Sequence, residues 1–124
     1  AVSLSPGLGY LKNVIIDQHF SERGRLSRLI TAVSYNPQNL GIGIDENTAI
    51  ILNNDGQLEV FGEGTVTIVD GSMITYNEIA EVPESEPFSV CGVQIHILKD
   101  GLSYDVFARK PLPPPDEFLL PDLE

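Results

Sequence analysis

The first clear pattern along the chain is a short apolar run, then polar residues, then a helical repeat. Val14-Ile15-Ile16 is typical of a buried strand, and the polar segment 17–21 follows it. Leu26, Leu29, Ile30 and Val33 recur at the i, i+3, i+4, i+7 spacing of one helix face, which Asn36-Pro37 ends. A strand, a polar turn and a helix form an α/β unit, in which ligands bind beyond the carboxyl ends of the strands.

After the predicted helix, the pattern becomes that of strands and tight turns. The segments predicted as strands are 41–44, 49–52, 58–61, 65–69, 90–98 and 104–107. Turn signals occur at Asn54-Asp55-Gly56 and at Lys99-Asp100-Gly101. The segment 77–87, which contains glutamates and prolines, is predicted to be an exposed loop.

The pattern predicts part of one α/β domain with β-hairpins at 1–110, followed by an arm rich in proline and acidic residues at 111–124. One helix and several hairpins make only part of a doubly wound sheet, and the strand around Ile15 would need a neighbour on each side. Met73 is the only methionine, so we expect Ala1 not to be the start of translation. We therefore expect a fragment that exposes apolar surface and whose missing elements precede Ala1.

Composition narrows the class of protein. The 124 residues are 42% hydrophobic, and no apolar run approaches the roughly 20 residues of a membrane span, which argues against a disordered tail or a membrane protein. The formal charge of −11 argues against a general nucleic-acid binder, because the phosphate backbone would repel the chain. The single cysteine, Cys91, excludes an internal disulfide framework and agrees with the reducing cytosol, so a cytoplasmic location is expected.

The basic residues are unevenly distributed. Arg23, Arg25 and Arg28 are three of the seven, while 29–98 contains acidic residues and neither lysine nor arginine. A short arginine-rich segment in an acidic chain could form a local anion site. The alternative is that these arginines lie on a solvated helix face.

Asp17-Gln18-His19 is the most suggestive group for chemistry. A histidine at a strand end among polar residues is well located for a general base, because its ordinary pKa of about 6.5 lets it take up and return protons. The alternative is a structural histidine, which is how we interpret His96 within its apolar strand. A metal site at Asp17 and His19 has little support, because no cluster of ligands has a suitable spacing, and no metal or cofactor is expected.

The glycines at 41 and 43 do not predict a nucleotide site, because a lone G-x-G lacks the third glycine and the following helix. They favour a strand that another element approaches closely, with Asp45 or Glu46 at its end. Such a carboxylate could orient a histidine from the neighbouring strand, as the acid of a catalytic triad does. No serine lies in a G-x-S-x-G elbow, and Cys91 is predicted to be a packed small residue. The chain therefore offers a base and an acid without an attacking group.

Three segments resemble the cyanophycinases, serine peptidases related to the aspartyl dipeptidases. They are the string D-Q-H-F-S-E-R-G-R-L-S-R-L at 17–29, the string N-P-Q-N-L-G-I-G-I-D-E-N-T-A at 36–49, and the segment 64–71. The resemblance reaches to about Pro111. It implies a class I glutamine-amidotransferase-like (flavodoxin-like) fold, of which this chain would be the C-terminal part.

The resemblance also implies hydrolysis of cyanophycin, multi-L-arginyl-poly-L-aspartate, to β-Asp-Arg dipeptides by a homodimer. In that family the catalytic order is Ser, His, Glu, so it assigns His19 as the base and Glu46 as the acid, with Asp45 as the rival. The residues it implies for the substrate pocket are Asp17, Gln18, Arg23, Arg25 and Arg28. The nucleophile would lie in an upstream Gly-Thr-Ser-Ala-Gly-Ala-type elbow. An aspartyl dipeptidase-like peptidase and an inactive structural fragment stay open as alternatives.

Overall fold

The computed structural model describes residues 13–18 and 24–113. The strands within these ranges are β1 (Val14–Gln18), β2 (Leu40–Ile44), β3 (Thr48–Leu52), β4 (Gln57–Gly62), β5 (Thr65–Asp70), β6 (Tyr76–Asn77), β7 (Val90–Cys91), β8 (Gln94–Lys99), β9 (Ser103–Asp105) and β10 (Lys110–Pro111). The helix α1 (Arg25–Tyr35) follows β1, and a 3₁₀ turn, Ile79–Glu81, follows β6. The prediction of an α/β chain with β-hairpins is confirmed.

The first sheet has the strand order β1-β2-β5-β8. β1 and β2 are parallel, as a strand–helix–strand unit requires, whereas β5 is antiparallel to both β2 and β8. All five residues of β2 are buried, because this strand has a neighbour on each side and a layer on each face. The sheet is therefore mixed, with its parallel pair at the end that carries β1.

The helix α1 packs on one face of the first sheet. Leu29 and Val33 are buried there against Val69 of β5, and the backbone N–H of Asn36 caps the end of the helix by donating to the Val33 carbonyl. Gly41 lies directly beneath: a Cβ at this position would stand 2.9 Å from Cγ2 of Val33. The prediction that the glycines of this strand permit a close approach is confirmed at Gly41.

The second sheet, with the strand order β10-β9-β4-β3, covers the opposite face. The alternation in β4 explains this layer, because Leu58 and Val60 are buried whereas Gln57 and Glu59 are exposed. Together with Tyr104 of β9 they pack against the inner residues of the first sheet, such as Ile42 and Ile68. The hydrophobic core thus lies between two sheets, with α1 as a third layer.

Local turn chemistry explains the β3–β4 hairpin. The side-chain Oδ1 of Asn53 accepts hydrogen bonds from the backbone N–H groups of Asp55 and Gln57, each at 2.9 Å. The hairpin predicted at Asn54-Asp55-Gly56 is confirmed. The turn predicted at Lys99-Asp100-Gly101 is also confirmed, but β9 pairs with β4 rather than with the preceding β8. The reason is that β8 and β9 belong to different sheets and the turn connects the two layers.

Two other predictions are corrected in detail. The segment 90–98 forms two strands interrupted at Gly92 and Val93, not one. The segment 77–87 is not exposed throughout, because Ile79 is buried and the Asn77 side-chain N–H group donates to the Ser34 carbonyl of α1 at 2.8 Å. This hydrogen bond holds the start of the loop on the end of the helix.

β1 has one strand neighbour within the described ranges, and all five of its residues are half-buried rather than buried. The expected apolar surface is present: Ile97 of β8 is 66% exposed, and Ile51 of β3 is 57% exposed. Among the described residues, no helix combines the length and the apolar character that crossing a bilayer demands.

Candidate functional site

The carboxyl ends of β1 and β2 meet at one edge of the first sheet. Gln18, the last residue of β1, pairs in register with Ile44, the last residue of β2. The β2–β3 turn begins directly afterwards with Asp45 and Glu46. We call Asp17, Gln18 and residues 45–48 the carboxyl edge. The sequence prediction that carboxylates follow a strand adjacent to β1 is confirmed.

On the helix side of this edge, Asp17 forms an ion pair with Arg25. The Arg25 Nη1 lies 3.1 Å from the Asp17 Oδ1, and the two side chains are 24% and 20% exposed. The pair connects the end of β1 to the first residue of α1. Arg28 lies one turn further along the same helix and is exposed.

On the other side of the sheet, Gln18 lines a cavity of about 150 Å³ together with residues 44–48. Successive strand residues point to opposite faces, so Asp17 and Gln18 cannot serve the same side of the sheet. The structure therefore brings Asp17 together with Arg25, and Gln18 together with Glu46.

The two neighbouring carboxylates, Asp45 and Glu46, have different surroundings. The Asp45 Oδ2 accepts hydrogen bonds from the Thr65 backbone N–H at 2.9 Å and from the Thr65 hydroxyl at 3.0 Å. Thr65 begins β5, which lies on the opposite side of β2 from β1. The Asp45 carboxylate is thus bound to β5, whereas Glu46 is exposed beside the cavity that Gln18 lines.

Two of the predicted site residues, His19 and Arg23, lie outside the described ranges. His96 is described and half-buried, and its ring packs beside the buried Tyr104, with the two ring centroids 5.7 Å apart. This packing agrees with its interpretation as a structural histidine. The expectation that Cys91 is packed is wrong: it lies in β7, a two-residue strand, and is exposed.

Two buried polar atoms lie among the apolar side chains around Tyr104. The hydroxyl of Tyr104 and the Nε2 of His96 are buried and make no hydrogen bond within the described part of the chain. Burial raises the pKa of the Tyr104 phenol above its ordinary value of 10.0, and the Asp70 carboxylate raises it further. Neither group is part of the carboxyl edge.

Sequence reasoning missed a second charged cluster, at the other end of the first sheet. Asp70 pairs in register with Leu40, the first residue of β2, and forms an ion pair with Arg109 at 3.3 Å. The Arg109 Nη2 also donates to the Gln38 carbonyl at 2.6 Å. We call Asp70 with Ser72, Gln38 and Arg109 the amino edge. No local signal connects residues 39 positions apart, although a charged residue at the end of an apolar strand was a hint.

Comparison with known proteins finds relatives that are cyanophycinases. The chain is 48% identical to a cyanophycinase of Synechococcus elongatus over 105 residues, which are 85% of this chain and 33% of the relative. It is 44% identical to the cyanophycinase of Trichormus variabilis over 112 residues, which are 90% of this chain and 38% of the relative. It is 41% identical to the cyanophycinase of Geminocystis herdmanii over 111 residues, which are 90% of this chain and 41% of the relative.

The resemblance to the cyanophycinases is therefore confirmed. No family model matches the sequence. The chain spans between a third and two fifths of the length of the cyanophycinases reported above.

Proposed function

We propose that this chain is the C-terminal part of a serine-type exopeptidase that hydrolyses cyanophycin to β-Asp-Arg dipeptides. In this proposal the whole protein has a class I glutamine-amidotransferase-like fold, and its nucleophilic serine lies outside this chain. The observation that carries the proposal is the parallel pairing of β1 with β2, which ends both strands at one edge. The identity to cyanophycinases over most of this chain supports the choice of substrate.

The proposed catalytic roles follow from that edge. The serine attacks the scissile carbonyl while His19, the residue after Gln18, accepts the hydroxyl proton and then delivers it to the leaving amine. Water then hydrolyses the acyl-enzyme with His19 again as the base. Glu46 holds the imidazole in the required tautomer. Glu46 is favoured over Asp45 because the Asp45 carboxylate is already bound to Thr65 on the side away from β1.

The proposed substrate contacts use the charges at the start of α1. The first turn of this helix, all of it described, contains Arg25 and Arg28 but no acidic residue. Cations are unfavourable at a helix N-terminus, so an anionic ligand would stabilise this arrangement in addition to the Asp17 carboxylate. Guanidinium groups bind carboxylates in a bidentate manner, and cyanophycin carries a carboxylate on each arginine unit.

The acidic and amide groups at the end of β1 provide two further proposed contacts, one on each face of the first sheet. Asp17 and Gln18 lie at the end of β1, and Arg23 precedes α1 in the sequence. In this proposal Asp17 exchanges Arg25 for the guanidinium of the substrate, while Gln18 binds a polar group of the polymer backbone. Two further properties belong to the proposal. A homodimeric assembly is taken from the family resemblance, and a cytoplasmic location from the single cysteine, which agrees with a reducing compartment.

The test compares substrates with the complete, cyanophycinase-length protein. Purified cyanophycin, Asp-Xaa dipeptides and an ordinary peptide are supplied at equal mass, and the products are identified by mass spectrometry. We expect the protein to release β-Asp-Arg from cyanophycin. We also expect the His19→Ala variant to have a kcat at least about 10³-fold lower. Cleavage of Asp-Xaa dipeptides with intact cyanophycin would instead identify an aspartyl dipeptidase. Near-normal turnover by the His19→Ala variant would exclude the proposed role of His19.

A mass measurement of all the polypeptide in a sample that contains this chain decides between an enzyme and a structural fragment. A sample that holds only these 124 residues and still releases dipeptide would contradict an external nucleophile. A sample that contains the remaining sequence, and loses activity when that sequence is removed, supports it.

A further inference from the structure

The β2–β3 turn that carries Glu46 is bound by hydrogen bonds to the β4–β5 turn and to the first residue of β5. Besides accepting two hydrogen bonds from Thr65, Asp45 donates its own backbone N–H to the Thr65 carbonyl at 3.1 Å. Asp45 is therefore joined to Thr65, where β5 begins, by three hydrogen bonds. We call this pair, together with Thr48 and Gly64, the turn clamp.

Thr48 extends the turn clamp to the backbone of Glu46 itself. Its hydroxyl donates to the Glu46 carbonyl at 3.0 Å and accepts from the Gly64 backbone N–H at 2.9 Å. The peptide unit of Glu46 is thus connected through a single hydroxyl to the β4–β5 turn. In addition, the Glu63 N–H donates to the Asn47 carbonyl at 3.0 Å.

The clamp leaves no room for a larger residue at Gly64. A Cβ added there would stand 2.7 Å from the Cβ of Asp45 and 2.8 Å from the Oγ1 of Thr48, closer than such atoms approach without a shift. The Gly64 backbone therefore lies directly against the side chains of Asp45 and Thr48. These two residues lie one position before and two positions after Glu46 in the sequence.

We infer that Asp45 and Thr65 are positioning residues for Glu46: their hydrogen bonds hold the β2–β3 turn in the orientation in which the Glu46 carboxylate meets the histidine. This inference rests on the proposed function and assigns Asp45 a role distinct from that of the triad acid. Geometry explains why such a device is useful. Glu46 is exposed on a turn, and a displacement of about 1 Å in a catalytic group can reduce the rate roughly 10²-fold.

The test measures kcat, KM and the pH profile of cyanophycin hydrolysis in the complete protein for a graded series. The Asp45→Ala variant removes both side-chain hydrogen bonds, and we expect kcat to fall about 30- to 100-fold with little change in KM. The Thr65→Val variant removes the hydroxyl bond alone, and its loss should be smaller. The Thr65→Ser variant keeps both the backbone N–H and the hydroxyl donor, so it should retain nearly the original activity.

The pH profile provides a measurement that a general loss of stability would not change. A carboxylate beside an imidazole raises the pKa of that imidazole, so moving Glu46 away should shift the acidic limb of kcat/KM to lower pH. The shift is expected in the Thr65→Val variant, in which no charge has been removed. This separates the displacement of Glu46 from the loss of the Asp45 charge.

The matched control is Asp105→Ala. The Asp105 Oδ1 accepts two backbone hydrogen bonds, from Phe107 and Ala108, each at 2.9 Å, but at the far end of the second sheet. If Asp45→Ala and Thr65→Val lose no more activity than this control, the inference is wrong. A Glu46→Gln variant in the same assay distinguishes a failure of the proposed function from a failure of the positioning role alone. Full activity of Glu46→Gln would contradict the proposed function itself, whereas its collapse beside unaffected clamp variants would contradict only the positioning role.

Discussion

The two ends of the first sheet each carry an Asp–Arg ion pair, and the two pairs are built differently. At the amino edge, Asp70 is 1% exposed and accepts hydrogen bonds from the N–H and hydroxyl of Ser72 as well as from Arg109. At the carboxyl edge, Asp17 is 20% exposed, and within the described ranges its carboxylate accepts one hydrogen bond, from Arg25. The same two residue types are therefore locked in one place and accessible in the other.

The burial of each pair and the number of its partners limit the role that the pair can have. Breaking the Asp70 pair would leave a buried charge without enough partners, so this pair is suited to a structural role. The Asp17 pair is partly exposed to solvent, so it suits the exchange of one partner for a charged ligand that the proposed function requires. Charged residues alone do not identify a binding site. The number of acceptor positions already occupied is the better criterion.

The largest effect should follow from Glu46 at the carboxyl edge. The Glu46→Gln variant of the complete protein should reduce kcat for cyanophycin about 10³- to 10⁴-fold, because an amide cannot hold the imidazole in the same tautomer. Steady-state kinetics provide the measurement. The Glu63→Gln variant carries the same change in the adjacent turn and should be near normal. Equal losses in both variants would contradict the assignment of Glu46.

The amino edge should respond in stability rather than in activity. The Asp70→Ala variant should lower the free energy of unfolding by about 3 kcal/mol, because it leaves the Arg109 guanidinium and Ser72 without their common partner. Urea denaturation measures this quantity. The exposed Asp55 is the control, and Asp55→Ala should change it by less than about 0.5 kcal/mol. A loss below about 1 kcal/mol at Asp70 would remove the contrast between the two edges.

The exchangeable pair should affect substrate use with a small effect on folding. The Arg25→Gln variant should raise KM for cyanophycin about tenfold, equivalent to about 1.4 kcal/mol of binding, with kcat less affected. The loss of stability should stay within about 1 kcal/mol, as for other partly exposed pairs. The Lys110→Gln variant, on exposed β10, is the control with the same loss of charge. An unchanged kcat/KM at Arg25 would argue against a contact with the substrate.

The smallest expected effect is on the pKa of Glu78, which follows Asn77 near the amino edge. The Tyr76 hydroxyl, at 2.7 Å, and the Ser89 backbone N–H lower the pKa of the Glu78 carboxyl below its ordinary value of 4.5. A lowered pKa in the folded state means that this contribution to stability is present above pH 4.5 and is lost as the pH falls through the folded-state value.

An NMR titration tests this effect. The Tyr76→Phe variant should return the pKa of Glu78 toward 4.5, and Tyr35→Phe, which removes another exposed phenol, should leave it unchanged. A Glu78 pKa that does not respond to Tyr76→Phe would show that the hydroxyl is not the cause.

The elements that could be predicted are those whose interactions are local. The spacing from Leu26 to Val33 describes one face of α1, and Asn36-Pro37 ends it where the structure does. The β3–β4 hairpin is equally local, because Asn53 binds atoms two and four residues away. In contrast, the pairing of β9 with β4 depends on which of two layers each strand joins, and adjacent residues contain no information about this choice.

Part of the candidate site could likewise be predicted from the sequence, and part could not. That Asp45 and Glu46 would lie beside the end of β1 followed from the sequence, because a strand–helix–strand unit makes β1 and β2 parallel. Which of the two carboxylates is bound to β5 did not follow, because Thr65 is 20 residues away and both acids are plausible in sequence alone. Cys91 was mispredicted for a similar reason, since its exposure depends on packing rather than on its strand pattern.

The amino-acid sequence is enough to predict the order of the helix and hairpins, the resemblance to cyanophycinases and the grouping of charges near Asp17. The reason is that periodicity, turn chemistry and motif strings are properties of neighbouring residues. Three further features emerge from the folded chain: Asp70 is locked by Arg109, Asp17 and Gln18 lie on opposite faces of the sheet, and Asp45 binds Thr65. Those facts depend on contacts between residues that are distant along the chain, and folding alone brings them together.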